Sequence, residues 1–199
     1  VNLVYYTDFR PDSFVLAAIW LDPRSAGSPP QTNDFLINKM SLLLSDQIRS
    51  FQEYSVSVSQ NNIYCLINDS KDRLAELYPL LKSLRSAILT LREIFPDLHI
   101  MIAQSNIKSD FSQIYECPGE IEVALYEKIT TGNDSVILYP RLSVPSVSTD
   151  TFITGGFRDR YFTCLDTQNF TGLVSLYEGL AEALRDNSTL TGKFLYTVY

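Results

Sequence analysis

Tyr54–Ile67 reads YSVSVSQNNIYCLI, and the fold turns on how this stretch is interpreted. Tyr54 to Val58 alternates large and small, apolar and polar, with a period of two, which is the mark of a half-buried strand. Ser59-Gln60-Asn61-Asn62 is a cluster of turn formers, and Ile63 to Ile67 (IYCLI) reads as a second strand. The two make an antiparallel hairpin. The fold that follows requires this hairpin to lie within the main sheet.

Upstream, Ser13 to Leu21 (SFVLAAIWL) is a continuous apolar run of strand length, expected to be buried on both faces. Asp22 and Pro23 end it, and Arg24 to Thr32 (RSAGSPPQT) is a loop by composition. A helix is expected over Asn33 to Phe51, with Asn33 as its N-cap. Ile37, Met40, Leu44, Ile48 and Phe51 share one face at spacings of three and four. Downstream, Leu74, Leu77, Leu81, Leu84, Ile88, Leu91 and Phe95 mark a second core-facing helix over Asp72 to Phe95, with a kink or late start at Pro79. Leu98 to Ala103 follows as a buried strand, Glu120 to Thr131 as a helix closed by Gly132, and Val136 to Tyr139 as a short last strand.

The order is β-α-β-β-α-β-α-β. Its first six elements are the split βαβ, ferredoxin-like arrangement, whose right-handed crossovers put both helices on one face of the sheet. The fold class is therefore α+β: a ferredoxin-like βαββαβ core with an added helix and strand. A helical extension follows, over Phe157 to Leu165, Phe170 to Leu184, and Leu190 to the end. In domain terms, residues 1–140 form the α/β domain, 141–150 a Ser/Pro/Val-rich linker, and 151–199 the extension.

The chain has 199 residues and a formal charge of −7, so its surface repels phosphate backbones and direct nucleic-acid binding is not expected. Cys65, Cys117 and Cys164 have no metal-ligand or paired spacing and read as free thiols in a reducing, cytoplasmic setting. Sequons at Asn68, Asn133, Asn169 and Asn187 are the contrary sign, but such triplets arise by chance in Ser/Thr-rich chains. No signal peptide, apolar membrane span or lipidation motif is present, and this stretch is expected to make no membrane contact. The chain starts at Val1 and stops at Tyr199 inside an apolar run, which reads as a piece of a longer protein.

One stretch carries a more specific likeness. Ile102–Tyr139, IAQSNIKSDFSQIYECPGEIEVALYEKITTGNDSVILY, resembles the degenerate GGDEF-like domain of AraC-type transcription regulators and response regulators. The matching residues are Ala103-Gln104-Ser105, Ile114-Tyr115, Glu120, Glu122, Ala124-Leu125, Gly132 and Val136 to Tyr139. Phe157 to Leu184, with its turn at Asp166 to Asn169, is similar to the family's helical segment ahead of a DNA-binding helix-turn-helix pair. The resemblance implies a non-catalytic, cytoplasmic regulatory domain that forms homodimers and couples an input to DNA-binding helices. DNA would be met only through a C-terminal domain absent from this sequence.

Active cyclases of this fold hold divalent metal ions with carboxylates at the end of the first strand and in the central hairpin. Here the strand ends at Asp22, and the hairpin offers Ser59, Gln60, Asn61 and Asn62, with no carboxylate or glycine. No turnover, metal or cofactor is expected. Asp22, Ser59, Gln60, Asn61 and Asn62 are candidates to line a vestigial ligand cleft, and binding of a nucleotide without turnover is the alternative function. His99, the lone histidine, is expected as a core or strand-end residue. Glu120 and Glu127, seven apart, read as a solvated helix face. An unrelated enzyme or a secreted domain is the remaining alternative.

Overall fold

The computed structural model describes residues 9–10, 12–22, 30–59, 62–142 and 153–185. The chain divides into two compact units, Val1–Leu142 and Ser143–Tyr199.

The first unit is built around β1 (Ser13–Leu21), whose apolar run is buried along nearly its whole length. It is flanked by strands on both sides. β2 (Glu53–Ser59) and β3 (Asn62–Asp69) form the expected hairpin, and β4 (Ile100–Gln104) and β5 (Val136–Leu138) complete a five-stranded sheet of order β2-β3-β1-β4-β5. β3 lies inside the sheet, antiparallel to β1, and β2 forms one edge. β4 is antiparallel to β1, while β5 runs parallel to β4 at the other edge.

Alternate residues of a strand point to opposite faces, and β1 shows what covers each. Val15, Ala17, Ile19 and Leu21 pack with Leu36, Met40, Leu44 and Ile48 of α1 (Pro30–Ile48). Leu77, Leu81, Leu84 and Ile88 close the same layer. Leu16 and Ala18, with Met101 and Ala103 of β4, pack instead on Cys117, Ile121 and Ala124. The first two long helices thus share one face of the sheet, and the helix between β4 and β5 takes the other.

Several boundaries differ from the sequence expectation. α1 starts at Pro30 rather than Asn33, because a proline is tolerated in the first helical turn, where its missing N–H has no partner to lose. The expected helix from Asp72 to Phe95 is divided into α2 (Lys71–Ala75) and α3 (Leu77–Leu89), followed by a 3-10 turn over Thr90–Glu93. The break at Glu76 comes just ahead of Pro79, whose ring excludes a helical carbonyl four residues back. The helix expected from Glu120 begins earlier. A 3-10 turn, Phe111–Glu116, leads into α4 (Cys117–Tyr126), with Pro118 in its first turn, and α5 (Lys128–Thr131) follows. Gly132, at φ 76°, ends α5, and its N–H donates to the Lys128 carbonyl at 2.9 Å. That is the left-handed backbone for which glycine is suited.

Behind β4 the chain is pinned by charge. Lys108, 7% exposed, donates through Nζ to Glu116 and Glu120. Glu120 also accepts from the Asn106 backbone N–H at 2.7 Å and its side-chain amide at 3.0 Å. Burial alone would lower the Lys108 pKa, but these bonds and the two negative charges outweigh it and raise the pKa. Glu120 therefore belongs to a buried cluster rather than a solvated face, and Glu127 is 6% exposed at the break between α4 and α5. Glu122, by contrast, is exposed and accepts from the Tyr126 hydroxyl.

The second unit contains α6 (Gly155–Asp166) and α7 (Phe170–Arg185), close to the helices expected there. Thr154 Oγ1 caps α6 by accepting from the Phe157 N–H, and Asn169 Oδ1 accepts from the Gly172 N–H at 2.9 Å. A Cβ on Gly172 would lie 2.9 Å from Cys164 Sγ and 2.8 Å from Asn169 Nδ2, so the helices meet where a side chain has no room. The helix expected from Leu190 onward, and most of the 141–150 segment, lie outside the described residues. Among the described residues, no helix is long and apolar enough to cross a membrane.

Leu84 is fully buried between sheet and helices, whereas Leu42 on α1 is 67% exposed. Urea unfolding should show Leu84→Ala losing about 2–5 kcal/mol, and Leu42→Ala changing stability by no more than about 0.5 kcal/mol.

Candidate functional site

The sheet register gathers the sequence candidates at one end. Asn62 pairs with Trp20 of β1 on one side and with Ser59 of β2 on the other. Side chains of directly paired residues share a face, and Asp22 lies two residues beyond Trp20. Ser59, Asn62, Trp20 and Asp22 therefore line the same face of the sheet at the hairpin end. Gln60 and Asn61, the remaining candidates, lie outside the described residues.

Asp22 is 2% exposed, and its N–H donates to the His99 carbonyl at 2.9 Å. Its Oδ2 accepts from Lys128 Nζ at 2.8 Å. The same ammonium lies 3.9 Å from the centre of the Trp20 ring, a cation–π contact. Lys128 stands at the first position of α5, which the break at Glu127 turns toward the strand end. The carboxylate is thus held by a cation that is itself three-quarters shielded. At the hairpin, Ser59 is exposed and Asn62 is half-buried. Among the described residues, Asn62 Oδ1 is buried and finds no hydrogen-bond partner.

The structure also explains His99, expected as a core or strand-end residue. It precedes β4 and is 41% exposed at its side chain, where Nδ1 meets Asp134 Oδ2 at 3.3 Å. Arg92 reaches the same oxygen, and Asp134 Oδ1 accepts from the Ile100 N–H at 3.1 Å. Burial pushes the Asp134 carboxyl up. The hydrogen bonds from Arg92, Ile100 and His99, with the Arg92 charge, more than offset this and hold its pKa below the usual carboxylate value. Asp134 does this from a left-handed backbone, φ 65°, which Asp and Asn tolerate better than other side chains. This cluster binds the entries to β4 and β5 together directly beside Asp22.

The divalent metal ions that active cyclases of this fold hold do not fit these residues. The one carboxylate at the strand end is engaged by an ammonium, and Ser59 and Asn62 contribute no negative charge. Among the described residues, no group of three or more His, Cys, Asp or Glu side chains is arranged to hold a metal. The thiols offer no reactive centre at this end either. Cys65 is buried in β3, and burial pushes its pKa up to about 12. Cys117 belongs to the opposite layer, and burial likewise raises its pKa.

No protein-family model matches the sequence, and no curated protein matches it. Among solved structures, the active GGEEF domain of a diguanylate cyclase from Vibrio cholerae is similar, with a TM-score of 0.51 over 64% of this chain and 83% of that one. The fold is cyclase-like. At 14% identity the likeness concerns the backbone arrangement alone. It holds for a mixed α+β unit with this five-stranded sheet.

Within the cyclase-like unit, Lys128 is the residue that sequence reasoning missed. It lies 106 positions from Asp22, and no local pattern couples the two. Asn68, part of a sequon, is set by its burial instead. It is fully buried, its Oδ1 accepts from the Arg10 N–H at 2.9 Å and its Nδ2 donates to the Ser13 carbonyl at 3.0 Å, so it cannot carry a glycan in the folded state.

Removing one member of a buried ion pair leaves the other unpaired, whereas replacing both with apolar groups costs far less. Because Lys128 keeps some solvent contact, Lys128→Met should lower stability by about 2–3 kcal/mol, and the double variant Asp22→Leu/Lys128→Met should lose less than the single one. Chemical denaturation of both variants decides this. For Asp134, a depressed folded-state pKa means stabilisation that is full above the ordinary carboxylate range near pH 4. It disappears as the pH falls through the lowered value. Asp134→Asn, which keeps the left-handed backbone accessible, should flatten the acid limb of the stability–pH curve measured by urea unfolding.

Proposed function

We propose that this chain is a non-catalytic regulatory domain of a bacterial AraC-type transcription regulator. On this reading it is a degenerate GGDEF-like unit, with a ferredoxin-like core plus an added helix and strand. It dimerises in the cytoplasm and transmits an input to DNA-binding helices outside this sequence. The observation that carries the loss of turnover is the Asp22–Lys128 pair: an ammonium at 2.8 Å engages the carboxylate that a cation would need. The regulatory context rests on the resemblance of Ile102–Tyr139 and of the α6–α7 segment. A signal-transmitting domain needs an interface with two states rather than a pocket shaped around a transition state.

A second reading, nucleotide binding without turnover, is favoured by Asn62, whose buried Oδ1 has no donor among the described residues and lies at the same sheet end as the Lys128 ammonium.

Incubation with GTP and Mg²⁺ or Mn²⁺ should yield no cyclic dinucleotide by chromatography, and thermal unfolding should not move with nucleotide. Formation of product would overturn the proposal. A ligand at a hundredfold its Kd adds about 2.7 kcal/mol, or roughly 5–11 °C in a chain of this size. A shift of that order without product would establish the sensing function instead.

A further inference from the structure

Among the described residues the sheet has two edges, and they are treated differently. β5 is three residues long, which blunts its edge. β2 runs for seven residues, EYSVSVS, and carries no lysine, proline or bulge, the usual devices against edge-to-edge pairing. Its later half is exposed, with Val58 at 52%.

The backbone groups that face outward can be assigned. Phe14 exchanges both backbone hydrogen bonds with Lys108, and the Leu16 carbonyl accepts from the Ser105 N–H. Even-numbered residues of β1 therefore turn to β4, and odd-numbered ones to β3. The pairing Ala17↔Cys65 turns the odd residues of β3 toward β1 and the even ones toward β2. The pairing Ser57↔Tyr64 then turns the odd residues of β2 inward. Tyr54, Val56 and Val58 present their N–H and C=O groups to the outside. The Tyr54 N–H finds a local acceptor, Glu53 Oε1 at 3.2 Å, consistent with this phase.

We infer that the outer edge of β2 pairs antiparallel with β2 of a second copy of this chain, about a two-fold axis at Val56, joining two sheets into one. The inference deepens the proposed dimeric, signal-transmitting function and rests on it. What selects a second copy is the strand's self-complementarity. In this register Val56 faces Val56 of the second copy, and Tyr54 faces Val58, so the outward N–H and C=O groups meet as hydrogen-bonded pairs, the Tyr54 N–H exchanging its Glu53 acceptor for the Val58 carbonyl. On one face an exposed valine is covered by an aromatic ring, a favourable cross-strand pair. On the other, Ser55 meets Ser57, and Glu53 meets Ser59 rather than a like charge. The isologous contact closes at two copies, and β5 is too short to continue it.

Sedimentation of the full chain over a wide concentration range, at roughly 0.15 M salt so that repulsion between two copies of charge −7 is screened beyond about 8 Å, should show a monomer–dimer equilibrium. Val58→Lys, at an exposed position, should weaken it by about tenfold or more while stability stays within about 0.5 kcal/mol of the parent. The register is read by cross-linking in a Cys164→Ser background. Hydrogen-bonded pairs lie about 5.5 Å apart at Cα, inside the disulfide range of about 4.4–6.8 Å. Val56→Cys should therefore form a covalent dimer on mild oxidation, and Val58→Cys, which faces Tyr54, should not. Should Val58→Lys fold poorly, the comparison of the two cysteine variants decides alone. A strict monomer at every concentration overturns the inference. So does a dimer that survives Val58→Lys with no preference for cross-linking at position 56, although that result leaves the dimer standing on another surface. The nucleotide assays test the non-catalytic reading separately.

Discussion

The cyclase-like unit depends on the burial of one strand from both sides. β1 has a strand on each edge and a helical layer on each face, so its apolar residues contact every layer of the unit. Once Val15, Ala17, Ile19 and Leu21 commit one face to α1 and α3, the intervening residues must be covered by α4. That forces the chain after β4 across the other face and makes β5 parallel. The same burial governs the end of the strand. Asp22 follows directly on a dry segment, and a carboxylate there requires a cation. Lys128 is delivered by α5, which follows directly on the helix that covers this face.

The two charged arrangements at this end are linked through the backbone. His99 accepts the Asp22 N–H with its carbonyl and meets Asp134 with its ring. Movement of the Asp134 turn would pass to the strand end through a single residue. The Lys108 cluster fixes the opposite end of β1, where Phe14 pairs with Lys108. The strand is clamped at both ends by buried charge.

Much of the fold was legible because its signals are local. The apolar run of β1, the period-two hairpin and the three-four stripe of α3 each fit one template, and the structure places them within a few residues of expectation. The departures are also local in cause. Pro30 starts a helix instead of preceding one, and Pro79 divides one. The site was less legible. Asp22, Ser59 and Asn62 could be brought to one sheet end by strand order alone, but a partner 106 residues away leaves no trace in any window. Glu120 was misjudged as solvated for the same reason. Helical spacing cannot show that Lys108 and Asn106 lie across from it. Nothing in composition distinguishes a buried sequon such as Asn68 from an exposed one.

The central position of β1 also has a consequence for synthesis. The strand leaves the ribosome ahead of the rest of its sheet, yet its neighbour β4 ends at Gln104, some 80 residues later. At about 5–20 residues per second this interval lasts roughly 4–16 s. During that time the β2–β3 hairpin is the only part of the sheet that can pair with SFVLAAIWL, and one edge of an uninterrupted apolar segment stays open. The longest buried strand of the finished unit is thus the one whose second edge is covered last.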